Sequence, residues 1–183
     1  MTGVQTCALP IFDKQTSGVI VLVKTQEAFL FLKKQFQERL TEKVYRAFLW
    51  GEMKETEGTI ALPIGRSMSD FRRRSAERGA KAPLRDALTK WTRLASASGF
   101  SYVEARPKTG RMHQLRVHFK AIQHPIVADS LYAPRREKAL GFERLALHAL
   151  LLTIELPAGA RKTFEAPLPN DFLEAEKLLG ARA

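Results

Sequence analysis

The sequence predicts an α+β fold. Three observations carry that reading: β-branched and aromatic runs of strand length, three amphipathic stretches of helical period, and no strict alternation of strand and helix of the kind that builds a doubly wound parallel sheet. At 183 residues the chain suits one domain with its own core. Hydrophobic residues make up 45% and charged residues 27%, which excludes a disordered chain. No apolar run reaches the ~18 residues that a membrane-spanning helix needs.

Met1–Ile11 carries no charge and no period, and it lacks the positive n-region of a secretory signal. It reads as foreign to the text that follows, as a fusion or sequencing junction or as a plain flexible N-terminus. The domain proper is therefore placed at residues 12–183. Gly18–Val23 (GVIVLV) is a continuous β-branched run and predicts a strand buried on both faces. Gln26–Leu40 predicts a helix with Phe29, Leu32, Phe36 and Leu40 on one face. Lys43–Trp50 and Glu57–Pro63 read as strands. Residues 65–85 place Arg66, Arg72, Arg73, Arg74, Arg78, Lys81 and Arg85 against only Asp70 and Glu77, with few apolar positions, and predict a long basic loop. Ala87–Leu94 and Phe100–Arg106 follow as a strand pair turned at Ser96–Gly99. The turn Pro107–Gly110 then leads into a helix over Arg111–Ile122, with Thr109 as its cap and Met112, Leu115, Phe119 and Ile122 as its core stripe. Leu145–Leu156 and Lys162–Ala166 read as strands, and Asn170–Leu179 as a closing helix with Asn170 at its N-cap.

The net charge is +11 and the pI about 10.1. Such a balance favours a polyanionic partner, nucleic acid or an anionic membrane surface, against the alternative of a merely solubilising surface. No basic amphipathic helix with large apolar anchors stands out, which argues against the membrane. The single cysteine, Cys7, forms no internal disulfide and fits a reducing, cytoplasmic setting. A monomer is the default expectation.

Several residues invite chemistry. Asp13, in FDKQTSG at the start of an apolar run, is placed to line a cleft, although a solvated turn aspartate is the ordinary alternative. In PKTGRMHQLRVH, Arg111 stands in the first turn of the predicted helix, where the dipole disfavours a cation; a buried carboxylate partner would account for it, and so would simple exposure. Tyr45 is either core or, if Lys43 and Arg46 lower its pKa, a candidate base. His113, His118 and His124 lack the spacing of helical zinc sites, and no metal is expected. Phosphate-cradling loops and nucleophile elbows are absent from the text.

Together these segments resemble the RluA family of RNA pseudouridine synthases. PIFDKQTSG is similar to the family's HRLDxxTSG, EKVYRAFLWG carries its K-x-Y strand, and Thr109–His118 follows its TGRxHQxRVH nearly letter for letter. HPIVADSLYA matches HPIxGDxxYG with Ala128 and Ala133 in place of glycines, and Leu147–Ala149 and Phe164–Phe172 match the family's late LHA and FxAPLPxDF elements. The family's His and Arg before the catalytic Asp align with Pro10 and Ile11, and the resemblance leads to the expectation that the family's upstream strands are missing.

The resemblance implies a mixed, largely antiparallel sheet flanked by helices, incomplete at its N-terminus, and an isomerase that converts uridine in ribosomal or transfer RNA to pseudouridine without a cofactor. It implies Asp13 as the catalytic carboxylate, Arg111 as its ion-pair partner, and Tyr45 as the residue that stacks on the base and acts in the final deprotonation. Thr16, Lys43, Thr109, His113 and Gln114 would contact substrate, and Arg116 with Arg72, Arg73 and Arg74 would contact RNA phosphates. The rival reading is a catalytically inactive RNA-binding fragment of the same fold.

Overall fold

The computed structural model describes residues 7–8, 13–77, 80–157 and 159–180. Its first elements are β1 (Cys7–Ala8), β2 (Ser17–Gly18), β3 (Leu22–Val23) and α1 (Gln26–Gln37). The run at 18–23 is not a strand buried on both faces. Val19, Val21 and Val23 pack with α1 and with Leu152 and Ile154, while Ile20 and Leu22 are 54% and 57% exposed. An unbroken apolar run has no period, so it cannot tell one covered face from two. Gly18, at φ +110°, also ends the first pairing after two residues. Thr25 caps α1 by accepting from the Ala28 N–H at 3.2 Å. The helix stops short of Leu40, which is exposed. Buried Gln35 exchanges two 2.9 Å bonds with the backbone of Glu155, and so extends a sheet edge with a side-chain amide.

After β4 (Glu42–Trp50) and β5 (Glu57–Ile60) comes the segment predicted as a loop. It is instead a small antiparallel sheet in which β6 (Ile64–Arg66) lies between β7 (Arg74–Ser75) and β8 (Lys81–Arg85). Its strands are short and charged, so neither hydrophobic period nor propensity marks them. Ile64 and Ala87 fasten it by packing with Val117 and Tyr132.

The main sheet adds β9 (Thr89–Ala97), β10 (Phe100–Pro107), β11 (Leu147–Glu155) and β12 (Arg161–Glu165) in the order β12-β11-β4-β10-β9-β5. Every pair along that path is antiparallel; β2 alone joins in parallel, beside His148 and Ala149 of β11. The expected mixed, largely antiparallel α+β architecture is therefore present. Two more helices, α2 (Gln114–Ala121) and α3 (Asn170–Leu178), complete it. Phe48, Phe142 and Phe172 are wholly buried beside the sheet, and Phe48 stacks on Tyr102 at 4.4 Å between ring centroids. The N-cap of α3 is Pro169, one residue before the predicted Asn170, and no side chain caps it. No helix among the described residues is long and apolar enough to cross a membrane.

Candidate active site

α2 begins at Gln114, three residues later than predicted, and the delay shapes the site. Thr109 Oγ1 donates to Gln114 Oε1 at 2.6 Å and accepts from the Leu88 N–H at 3.1 Å. The Arg111 N–H donates to the same Gln114 oxygen at 3.0 Å, and Gln114 Nε2 donates to Leu88 O and Thr89 Oγ1, each at 3.0 Å. Thr109 is thus not a helix cap. With Gln114 it ties the 107–113 turn to the start of β9. Met112, expected in the core stripe, is left outside the helix and exposed. His113 is held in the left-handed region at φ 57°, a strain of about 1–3 kcal/mol for such a residue.

That conformation serves Asp13. His113 Nε2 lies 3.4 Å from Asp13 Oδ1, and His113 Nδ1 lies 2.8 Å from the Tyr132 hydroxyl. The same hydroxyl accepts from the Arg74 N–H at 2.8 Å. The Asp13 carboxylate can only accept, so the imidazole proton sits on Nε2 facing it, and Nδ1 accepts from the Tyr132 hydroxyl. Burial holds the His113 pKa below its ordinary value, with Asp13 pulling the other way; the ring is a neutral donor.

The second partner of Asp13 corrects the expected pairing with Arg111. Arg116 Nη1 donates to Asp13 Oδ2 at 3.2 Å, and its Nε and Nη2 grip Asp129 Oδ2 and Oδ1 at 2.8 and 2.7 Å. Arg111 donates instead from Nε to the Asp86 carbonyl at 2.9 Å, although it still lines the cleft. The physical reason is the late helix start. The first-turn cation that the dipole disfavours is Arg116, and it has the carboxylate partners that the argument required. Arg116 is buried between two carboxylates, and its guanidinium lies 4.9 Å from the Tyr132 ring centre; it is not a surface phosphate contact. Asp129, wholly buried, accepts two further bonds at Oδ1, from the Leu131 and Tyr132 N–H groups at 3.0 and 2.9 Å.

Lys43, Tyr45 and Thr16 share the cleft with Asp13, His113 and Arg111, and Leu115 and Leu147 line its apolar part. Lys43 and Tyr45 alternate with Arg46 along β4, so Arg46 faces away and pairs with Glu104 at 3.0 Å. Burial first and Asp13 second push the Tyr45 hydroxyl up to about 12. It is a neutral phenol, not the cation-activated base that its neighbours suggested. Lys43 is lowered to about 8 by burial and by Lys108, and donates to the Thr109 carbonyl at 3.2 Å. Thr16 Oγ1 is buried with no partner among the described residues. Gly18 explains why Asp13 is brought here: a Cβ on it would meet Ala149 O at 2.1 Å, so only glycine lets β2 lie this close to β11.

The other histidines are structural. His118 Nε2 donates to the Leu62 carbonyl at 3.0 Å and its Nδ1 pairs with Thr89 Oγ1 at 2.9 Å; His148 bridges Ser17 and Ala166; His124 Nδ1 donates to the Trp50 carbonyl. Among the described residues no group of His, Cys, Asp and Glu is arranged to hold a metal. Arg72 and Arg73 both pair with Asp70, at 2.8 and 3.6 Å, and the hydrogen bonds from Arg72 lower the Asp70 pKa to about 2. Pro10 and Ile11 lie outside the described residues. Asp129 and Tyr132 went unassigned in the sequence because their roles depend on partners 13 and 19 positions away.

A family model described as RNA pseudouridylate synthase matches residues 11–121. The dual-specificity RNA pseudouridine synthase RluA of Vibrio cholerae is 41% identical over 169 residues, which cover 90% of this chain and 66% of the relative. An uncharacterized RNA pseudouridine synthase of Synechocystis is 36% identical over 171 residues, 91% of this chain and 50% of the relative. The chain thus spans half to two thirds of these relatives. The solved structure of human RNA pseudouridylate synthase domain containing 1 superposes with a TM-score of 0.78 at 30% identity, covering 96% of this chain and 73% of that one.

Proposed function

Because the chain belongs to the RNA pseudouridylate synthase family, we propose that residues 12–183 isomerise uridine to pseudouridine in ribosomal or transfer RNA, in the cytoplasm and as a monomer, with Asp13 as the catalytic carboxylate. The observation that carries the proposal is one carboxylate gripped by Arg116 and His113 in the wall of a cleft that Tyr45, Lys43 and Thr16 also line. The net charge of +11 supports a polyanionic substrate.

In this reading a uridine leaves its stack to enter the cleft, at roughly a few kcal/mol. Asp13 opens the reaction at the ribose. The glycosidic C1′–N1 bond breaks, the uracil turns, C1′ bonds to C5, and the proton then lost from C5 is balanced by one gained at N1. Arg116 and the Nε2–H of His113 fix both carboxylate oxygens, so Asp13 presents one orientation to the sugar. Tyr45 stacks on the base. With its hydroxyl pushed up to about 12 it acts as a neutral donor through the turnover, and any proton it accepts late must come as it gives its own away. Thr16 Oγ1, unpartnered among the described residues, is free to bond the substrate. Of the arginines at 72–74 we assign RNA contact to Arg74, since the other two are paired with Asp70.

Asp13→Asn tests the reading on total RNA, with pseudouridine measured by nucleoside mass spectrometry. The expected result is no product from the variant and RNA affinity within about threefold of wild type, because Asn keeps the shape and loses only the charge. Turnover by the variant would remove Asp13 from the chemistry. A wild type that binds RNA and forms no pseudouridine would establish the inactive RNA-binding reading in its place.

A further inference from the structure

Beside the Asp13 cleft lies a larger concavity of about 490 Å³, walled by β6, β8 and the 110–112 turn and sharing Gly110 and Arg111 with the cleft. Its charged lining is Arg66, Arg74, Lys81, Arg85 and Arg111, with no carboxylate among the lining residues. Among the described residues the side chains of Arg74 and Arg111 donate only to the carbonyls of Arg73 and Asp86. Among the described residues no ion pair engages any of the five. Arg72 and Arg73, by contrast, share Asp70, and Lys120 pairs with Glu77.

The fold itself sets these charges against one another. In the β6–β8 ladder Arg66 stands directly across from Lys81, and like charges opposed in an antiparallel pair are destabilising. A concave site of one sign concentrates positive potential and draws in an anion. The lining contains no aromatic ring on which a base could stack and no carboxylate or amide side chain that could read a base edge. Guanidinium forks instead match phosphate oxygens. Arg74 joins this concavity to the chemistry: its side chain lines it, and its N–H holds the Tyr132 hydroxyl that orients His113.

We propose that this concavity is a phosphodiester site, which grips the RNA backbone next to the nucleotide that enters the Asp13 cleft without reading its sequence. The identity of the anion as RNA rests on the function proposed above. The contact is sequence-independent and positions the strand, and Arg66, Lys81 and Arg85, not the Asp70-paired arginines, supply most of the salt-sensitive binding of this face.

The test compares two double variants that lose the same formal charge, Arg66→Ala/Arg85→Ala and Arg72→Ala/Arg73→Ala. Binding of a fluorescent, single-stranded, uridine-rich RNA is measured by anisotropy across a salt series. For two lost phosphate contacts on a single strand, the slope of log affinity against log salt should fall by about 1.4 in the first variant. It should fall by less than half of that in the second. Arg66→Lys/Arg85→Lys, which keeps the charge, should restore the slope. Equal changes in the two Ala variants, or no change in the first, would overturn the site. Pseudouridine formation by the wild-type chain in total RNA is measured alongside. Turnover with equal slopes removes only the phosphate site; no turnover with a cavity-specific slope removes only the catalytic reading.

Discussion

Asp129→Asn asks whether Arg116 reaches Asp13 because Asp129 holds it there. The Asp129 side chain is wholly buried and accepts four bonds, two from Arg116 and two from the Leu131 and Tyr132 N–H groups. Asn retains the shape, and its carbonyl oxygen can still serve the two backbone donors and Arg116 Nη2. Its amide nitrogen then meets Arg116 Nε, donor against donor. Breaking a buried ion pair costs about 3–5 kcal/mol. Asp13 remains as a second counter-charge for Arg116, so the lower end, about 3 kcal/mol, is expected. That is a large share of the roughly 5–15 kcal/mol that holds such a domain together.

Urea unfolding followed by the fluorescence of Trp50 and Trp91 reads the stability. Turnover is measured at a temperature where the variant stays folded. With Arg116 no longer anchored at its far end, kcat should fall at least about tenfold and KM by less than threefold in either direction, since the defect lies in how Asp13 is oriented and not in how RNA is held. The double variant Arg116→Met/Asp129→Asn removes both charges and should be more stable than the sum of the single changes predicts. A stability loss below about 1 kcal/mol, or the full loss with kcat unchanged, would refute the reasoning.

The remaining predictions follow from single positions. Ala128 sits at φ 56°, where a non-glycine residue is strained by about 1–2 kcal/mol. Against the entropic cost of glycine, Ala128→Gly should raise stability by about 0.5 kcal/mol; a loss above about 1 kcal/mol in urea unfolding would mean that methyl packing outweighs the strain. Tyr45→Phe should leave stability within about 1 kcal/mol and reduce turnover at least about tenfold, and with its hydroxyl near 12 no alkaline limb below about pH 10 should be traceable to Tyr45. An unimpaired Phe variant would leave Tyr45 as core alone. His118 and His148 are held below the ordinary histidine value, chiefly by burial. The unfolded chain therefore takes up their protons first as pH falls. Their contribution is complete above about pH 6.5 and lost below it, toward the folded values. Calorimetry from pH 8 to 5 should show this loss, with a shallower slope for His118→Gln, and equal slopes would assign the acid sensitivity to other groups.

Where the chain's information is local, it was legible in the sequence. Lys43–Trp50 and Leu145–Leu156 announce strands because their residues are β-branched, aromatic and apolar, and both lie in the main sheet. The α+β class and the family follow from such runs and from the ordered motifs around Asp13, Tyr45 and Thr109–His118. Periodicity failed where the text has none: the GVIVLV run hides its exposed face, and the short charged strands at 64–85 look like a loop. Only the tertiary structure decided which arginine serves Asp13. A side-chain amide, Gln114, ties down the preceding turn and delays the helix, so the first-turn cation becomes Arg116. Asp129 reaches Arg116 across 13 positions, and Tyr132 reaches His113 across 19. Lys43 and Arg46 offered one way to lower the Tyr45 hydroxyl, but strand alternation turns Arg46 away, and burial with Asp13 drives it up. A residue's charge partners and its desolvation are properties of the neighbours that folding brings to it, and chain order does not record them.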